Sequence, residues 1–342
     1  MTHGDNVDIV PVIILNWNGW EDTFTCLRSL ASAPDVKQVW LVDNGSTENR
    51  SDEALALWPG LRVVQLPRNF GFSGGMNRAM QIAAAEGYSF TYLLNNDCTV
   101  IPGFLGHALD AARDPGVAIV GSRIVDLMAP NFLLFDGRYH KRGERPIDAK
   151  ASIRRVTEVD GSGMMVRLRA VERDGYFDER FFCYHEEVEL CRRLRSKGWS
   201  CAIADASLVL HKQAGSDIDG NETYYRNRNY FLLAHLLHGV ARGPRKIDAL
   251  YYFAVAGEGA LLNKQRDRLQ VLATALYDGL RGLFGERRST SNTVVGLAML
   301  RVLVILVRAL RWLKTLFGGR SETIDAGNAV HPRFPDRRLA KK

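Results

Sequence analysis

Five short apolar runs, largely β-branched and separated by segments of helical period, fill the first 125 residues and leave few folds open to the chain. The runs are IVPVIIL (9–15), VKQVWLV (36–42), LRVVQL (61–66), FTYLL (90–94) and VAIVGSRIV (117–125). Between them lie WEDTFTCLRSLASA, the segment around SDEALALW, SGGMNRAMQIAAAEG and PGFLGHALDAARD. In the last of these Pro102 is placed to start a helix and Pro115 stands beyond its end. Near-continuous apolar strands are buried on both faces, and helical crossovers join parallel neighbours. The pattern predicts an α/β fold with a mostly parallel central sheet covered on both sides. The first run follows acidic residues without a basic leader, so it reads as a strand and not as a signal peptide.

In sheets of this kind ligands collect outside the carboxyl ends of the strands. That rule selects Asn16, Asp43, Arg68, Asn69 and the triplet Asn95-Asn96-Asp97 as candidate site residues. In LLNNDCTV the outer two members of the triplet fall on one side of an extended backbone. An amide oxygen and a carboxylate can then converge on a hard cation or a ribose, although an Asx turn ending a buried strand accounts for the same letters. In VDNGSTE, Asp43 can accept the N3–H of uracil or thymine while Gly45-Ser46 turns the chain, and Asp-Asn-Gly is also an ordinary turn sequence. RNFGFSGGMNRA opens a helix with Gly71, Gly74 and Gly75 between Arg68 and Arg78, a composition suited to a diphosphate near free helix N–H groups.

Two further segments carry titratable groups. FDERFFCYHEEVELCRRLRSKGW sets Glu186, Glu187 and Glu189 in the first helical turn and Arg195 and Lys197 in the last, which the helix dipole alone favours. The acids also lie beside Phe181, Phe182 and Tyr184, surroundings that can raise a carboxyl pKa and make a usable base. His211 leaves the strand CAIADASLVLH, where imidazole with the carboxylate of Asp97 suits Mn²⁺ or a similar ion; a structural hydrogen bond is the commoner use of a single histidine. ETYYRNRNYFLLAHLLHG offers Arg226 and Arg228 to phosphate, or is an amphipathic packing helix.

Charge and cysteine content bound the partners. Residues 1–238 hold 26 Lys and Arg against 30 Asp and Glu, whereas residues 239–320 hold 14 against 5. This excludes a basic nucleic-acid groove on the body and points to an anionic surface near the C-terminal third. Five cysteines without close CxxC spacing fit a reduced, cytoplasmic setting.

In order and spacing, VIILNWNG, VDNGSTE, RNFGFSGGMN, LLNNDCTV, DGSGMMVRL, the HEEVEL segment and HKQAGS followed by YYRNRNYF resemble the family 2 inverting glycosyltransferases of GT-A fold. Among these the likeness is to bacterial rhamnosyltransferase-type enzymes of cell-surface polysaccharide synthesis. The resemblance implies a nucleotide-sugar site built on Asn16, Asp43, Arg68, Asn69, Gly74, Asn77, Asn95, Asn96 and Asp97. It implies a divalent metal, Mn²⁺ or Mg²⁺, on Asp97, His211 and Asn95, with Asn95 where family members commonly carry an aspartate. An acceptor side at Gly161, Ser162 and Gly163 follows, and a base at Glu186, with Glu187 as second choice. The implied donor is a dTDP- or UDP-sugar, best dTDP-rhamnose, and the acceptor a lipid-linked glycan. A transferase of another UDP-sugar such as galactofuranose or N-acetylhexosamine, a nucleotidyltransferase, and a non-catalytic nucleotide-binding scaffold are the alternatives.

The sequence divides into a GT-A domain at 1–238, a helical region at 239–318 and a disordered tail at 319–342. In NTVVGLAMLRVLVILVRALRWLKTLF, Arg301, Arg308, Arg311 and Lys314 fall on one broad side, with Val304 and Val307 among them. The expectation is an interfacial helix that turns its basic side to lipid headgroups and sets the enzyme peripherally on the inner face of the cytoplasmic membrane. A homodimer interface is the competing use of the same helix.

Overall fold

The computed structural model describes residues 9–141, 143–148, 152–212, 220–237, 246–287 and 292–316, so the expected tail at 319–342 lies outside the described residues. The chain forms two compact units, Met1–Phe182 with Glu186–Gly215 and Cys183–His185 with Ser216–Lys342.

The first unit begins with strands and helices in alternation: β1 (Val12–Asn16), α1 (Trp20–Ala31), β2 (Val39–Asp43), α2 (Ser51–Leu57), β3 (Arg62–Gln65), α3 (Gly71–Ala85) and β4 (Phe90–Asn95). All five residues of β2 are buried, as are the first five of β4, which is the double-sided burial their composition requires. In α1 the side chains of Phe24, Leu27 and Leu30 share the buried face, while Glu21 and Asp22 sit in the first turn and Arg28 in the last, in agreement with the helix dipole.

After β4 the chain continues through β5 (Cys98–Val100), α4 (Phe104–Ala112), β6 (Val117–Asp126), β7 (Ala129–Phe135), β8 (Arg145–Pro146), β9 (Ile153–Val156), β10 (Gly163–Arg167), α5 (Leu168–Asp174), α6 (Glu186–Ser196) and β11 (Ser200–His211). The main path of the sheet runs β3-β2-β1-β4-β10-β6-β11-β5. The pairs β3-β2, β2-β1 and β1-β4 are parallel, as is β6-β11; β10 runs antiparallel between β4 and β6. One consequence matters for function. Asn16 is in register with Asp43, Asp43 with Gln65, and Leu15 with Asn95, so the carboxyl ends of four strands form one edge.

Strands β5, β7, β8 and β9 are additions to the sequence reading. They are short or half-exposed, and β7 and β9 alternate too irregularly to announce themselves. Arg123, on fully buried β6, is tolerated because its guanidinium donates to the carbonyls of Asp148 and Asp205, both at 3.1 Å.

The second unit holds α7 (Asn221–Leu236), α8 (Lys246–Leu262), α9 (Arg266–Arg281) and α10 (Thr293–Leu316). The sequence reading put the domain boundary after 238, whereas α7 groups with the helices that follow it. The reason is its aromatic face: Phe231 stacks on Phe253 of α8 at 5.4 Å, and the Tyr224 hydroxyl donates to Asp278 of α9 at 2.6 Å. Gly279 admits the Phe231 ring, since a Cβ there would lie 2.3 Å from it.

A second difference concerns α10. Val304 and Val307, read as intruders on a basic face, are buried. Arg308 and Arg311 pair with Glu258 of α8, at 2.8 and 2.7 Å, while both side chains stay partly in solvent. Burial of the valines fixes the rotation of the helix, and the arginines beside them follow to the same side.

Candidate active site

Asp43 closes β2 completely buried, and its two oxygens are used differently. Oδ1 accepts from Asn16 Nδ2 (3.3 Å), from the Ser46 amide (3.3 Å) and from the Ser46 hydroxyl. Oδ2 accepts from Gln65 Nε2 at 2.6 Å, and Gln65 is exposed at the end of β3. Protein groups therefore orient the carboxylate through one oxygen, and a surface side chain that can swing away covers the other. Asn16 serves the same end: its Oδ1 accepts from the Gly19 amide and the Thr23 hydroxyl, each at 3.0 Å. Asn96 Nδ2 donates to the Gly19 carbonyl and to Thr23 Oγ1, each at 3.1 Å, and so ties the end of β4 to the start of α1.

The glycine-rich opening of α3 is more closed than the sequence suggests. The Gly71 amide donates to Asn69 Oδ1 (2.7 Å) and the Ser73 amide to the Phe182 carbonyl (3.1 Å), so part of the expected anion-binding terminus is already occupied. Gly71 has φ +73° and a Cβ on it would meet the Phe182 oxygen at 2.3 Å, which explains the residue without a ligand. Gly74 packs under Phe70 and Arg78. The Arg68 and Arg78 guanidinium groups lie 4.1 and 3.7 Å from the centre of the Phe70 ring, and Arg78 also pairs with Glu179. Asn77 is a clamp: Nδ2 donates to the Phe177 carbonyl (2.9 Å) and Oδ1 accepts the Phe177 amide (3.0 Å). Asn77→Ala would strand both buried backbone groups. It is expected to cost about 2–4 kcal/mol, read as a lower urea midpoint at unchanged m-value.

At the centre of the edge, Asp97 Oδ2 lies 3.1 Å from His211 Nε2. The sheet makes this meeting: β11 pairs antiparallel with β5, His211 opposite Cys98, and the Lys212 amide donates to the Asp97 carbonyl at 3.1 Å. Burial alone would push the Asp97 pKa up, but the charge and hydrogen bond of His211 more than offset it and hold the group below the usual carboxylate value. The ligand atoms of Asp97, Cys98 and His211 all lie within 4.8 Å of one another. Burial and the neighbouring Asp97 charge push the Cys98 thiol well up, and it donates to the Ser162 carbonyl at 3.7 Å. A hard cation thus finds carboxylate and imidazole here, beside a thiol that keeps its proton. Asn95, at the end of β4, takes the Ser162 carbonyl on its amide at 3.0 Å.

The turn before β10 reaches the same edge. Ser162 donates from amide and hydroxyl to Asp160 Oδ1, and Tyr139 donates to Asp160 Oδ2 at 2.7 Å. Gly163 pairs with Leu94, and a Cβ on it would crowd Tyr92 Oη and Val209. Gly161 borders the acid helix: a Cβ on it would lie 3.6 Å from Cβ of Glu187. Glu186, Glu187 and Glu189 are all buried in the first turn of α6. Glu189 is neutralised by Arg193 at 2.8 Å. Glu187 is pushed well above the ordinary carboxylate range, first by burial and then by the charge of Glu186, with Asp160 and Glu158 adding to it. Ahead of α6, Phe182, Tyr184 and His185 all have φ between 67° and 74°, a cluster of strain that composition does not announce.

Of the two phosphate candidates on α7, Arg228 differs from the expectation. Arg228 is fully buried: it donates to Asn229 Oδ1 (2.9 and 2.6 Å) and to the Gly285 carbonyl (2.5 Å), with Tyr224 and Tyr225 against its face. It is a core residue of the helical unit, because the aromatic side chains that flank it in sequence enclose it. Arg226 pairs with Glu222 at 2.8 Å and lies 4.7 Å from the Tyr184 ring centre. Within that unit Asn229 holds residues 183–184 by donating to the Cys183 and Tyr184 carbonyls at 2.7 and 2.9 Å. Asn44 was also missed: it donates to Asn69 Oδ1 and to the Gly71 carbonyl, both at 3.0 Å, and accepts from the Phe70 amide. Its place directly after a strand-end aspartate was the available signal.

A parallel half-sheet with an invading antiparallel strand, and a carboxylate–imidazole pair at its carboxyl edge, is the architecture of the GT-A fold. Solved structures share that fold. One is GalNAc-T7 with UDP, GalNAc and Mn²⁺ (TM-score 0.52, 16% identity, 68% of this chain), of whose length the chain spans about half, 48%. Another is the Pyrobaculum calidifontis mannosyltransferase PcManGT with GDP-Man and Mn²⁺ (TM-score 0.51, 13% identity, 90% of this chain and 83% of that one). Residues 12–175 match the family described as glycosyl transferase family 2. Among curated relatives, the N-acetylglucosaminyl-diphospho-decaprenol L-rhamnosyltransferase of Mycobacterium tuberculosis is 27% identical over 269 residues, 69% of this chain and 88% of that protein.

Proposed function

We propose that this enzyme transfers a hexose with inversion, L-rhamnose from dTDP-rhamnose foremost, to a lipid-linked glycan on the inner face of the cytoplasmic membrane. The observation that carries the reading is the Asp97–His211 pair at 3.1 Å on the same sheet edge as Asp43. The rhamnosyl donor and lipid acceptor are taken from the relative's name, supported by similarity over 69% of this chain and 88% of that protein.

Asp43 receives the base. Its Oδ2 accepts an amide N–H from Gln65 in the structure, and the N3–H of thymine or uracil offers the same donor, so the base exchanges for the Gln65 side chain. Asp97 and His211 fit Mn²⁺ or Mg²⁺, with Asn95 at hand as a neutral oxygen ligand; such an ion supplies charge neutralisation at the departing diphosphate. Glu187 takes the proton from the acceptor hydroxyl. Its place beside Gly161 and its raised pKa favour it as the base, and the charge of Glu186 helps to raise that pKa.

A thermal-shift screen with UDP, dTDP, GDP and CDP, each with and without Mn²⁺ or Mg²⁺, tests the donor site. The expected outcome is a metal-dependent rise in Tm with dTDP or UDP, and a larger rise for Gln65→Ala because a competitor for Oδ2 is gone. A silent screen would reject the donor site; a smaller rise for Gln65→Ala would mean that Gln65 contacts the nucleotide.

A further inference from the structure

Helix α10 has two apolar faces, and the helical unit covers one of them. Leu300, Val304 and Val307 are buried, and Gly296 approaches α9 so closely that a Cβ on it would meet the Ala273 carbonyl oxygen at 2.1 Å. The other face carries Val294, Met299, Val302, Ile305, Leu306 and Leu310, all exposed, Ile305 by 64% and Val302 by 57%. At 100° per residue these six lie on an arc centred opposite Leu300 and Val304. A contiguous apolar row of this length is unfavourable in water and marks a partner or a lipid surface.

We propose that this face of α10 lies in the plane of an anionic bilayer, its apolar side chains among the acyl chains and its packed face toward α8 and α9. The stretch Thr293–Trp312 is long and apolar enough to cross a membrane. Crossing would draw in α9, which packs on it and opens with exposed Arg266, Asp267 and Arg268. Lying flat avoids that cost. Charge selects the occupant: residues 239–320 carry 14 Lys and Arg against 5 Asp and Glu, which attracts anionic headgroups and would repel a second copy of the same unit. Arg301 is exposed on the flank of the apolar arc, placed for its side chain to reach the headgroups, and Trp312, 63% exposed, sits toward the C-terminal end, where an indole suits the interface. This reverses the orientation expected from sequence, in which the basic side met the lipid. The proposal rests on the donor–acceptor reading above only for why a membrane is useful to the enzyme.

The test is flotation of the full chain with phosphatidylcholine vesicles, with and without phosphatidylglycerol. The protein is expected to float with the anionic vesicles, and Ile305→Asp/Leu306→Asp to lose partitioning by on the order of 100-fold. Both positions are exposed, so the variant should keep the wild-type circular dichroism and the nucleotide-dependent Tm shift. Wild-type protein left at the bottom of the gradient overturns the proposal, as does a double variant that still floats. A double variant that turns a dimer into a monomer while flotation is unchanged gives the face to a second copy instead. Wild-type protein that resists alkaline carbonate extraction with α10 crossing the bilayer overturns the flat orientation. Flotation intact with a silent nucleotide screen would reject the donor reading and leave this surface standing.

Discussion

Asp97→Ala is expected to abolish the metal-dependent part of nucleotide binding and to lower turnover by about a thousandfold, equivalent to ~4 kcal/mol of transition-state stabilisation. The size follows from what remains. Asp97 supplies the charged oxygen of the pair, and His211 with the protonated Cys98 leaves a hard cation without a carboxylate. At acid pH stability falls together with metal affinity. Because the fold depresses the Asp97 pKa, the stabilisation it gives is present above the unfolded value of about 3.8 and disappears as pH falls through the folded one. Near neutral pH, Asp97→Asn should therefore lose that modest contribution to stability together with the whole metal response, whereas a purely structural turn residue would lose stability alone. Calorimetric titration with Mn²⁺ in the presence of UDP reads the effect. An unchanged titration in either variant would remove Asp97 from the metal site.

The strand ends were legible because double-sided burial forces long apolar runs, and a polar residue that ends such a run has to lie on the sheet edge. Asn16, Asp43, Asn95 and Asp97 were found that way, and the register aligns Asn16 with Asp43 and the end of β1 with Asn95. What the letters could not carry is which of these residues face a ligand and which hold the frame. Asn16, Asn77 and Asn96 spend their amides on backbone and side-chain partners 3 to 102 residues away, and the distant ones leave no trace in local periodicity. Gln65 was overlooked for the same reason: its meaning comes from lying opposite Asp43 across two strands. Arg228 shows the converse error. Aromatic and basic residues interleaved at a helix start look like a phosphate patch until the helix is packed, and then the aromatics become a cage around the cation. In α10 two opposed apolar faces left periodicity unable to say which one the core would take, and close approach at Gly296 decides it.

Glu187→Gln is expected to leave nucleotide binding intact and to reduce kcat by about three to four orders of magnitude, the loss of a general base whose action no other group replaces. Glu186→Gln gives the contrasting result. Glu187 is held well above the ordinary carboxylate range by burial and, next, by Glu186, so at low pH the base carries a proton and the rate is small. Activity therefore rises with pH through the raised pKa, and the acid limb of kcat/KM should lie above the range of a solvated glutamate. Removing the Glu186 charge takes away one of the causes, and the limb is expected to move to lower pH while the plateau survives. The same elevation costs stability with the opposite slope. A folded state that binds the proton more tightly than the unfolded chain is favoured at low pH, and that contribution is lost as pH rises from about 4.5 through the folded value. Glu187→Gln, which keeps the shape and cannot ionise, should then unfold later than wild type at alkaline pH and in step with it at acid pH. Should Glu186→Gln be the dead variant and Glu187→Gln the one with a shifted limb, the two roles exchange, and the proximity of Glu187 to Gly161 would have to serve the acceptor in some other way. Loss of turnover in both, with a flat stability difference across pH, would instead mean that the pair acts as one shared-proton unit and that neither carboxylate is the base alone.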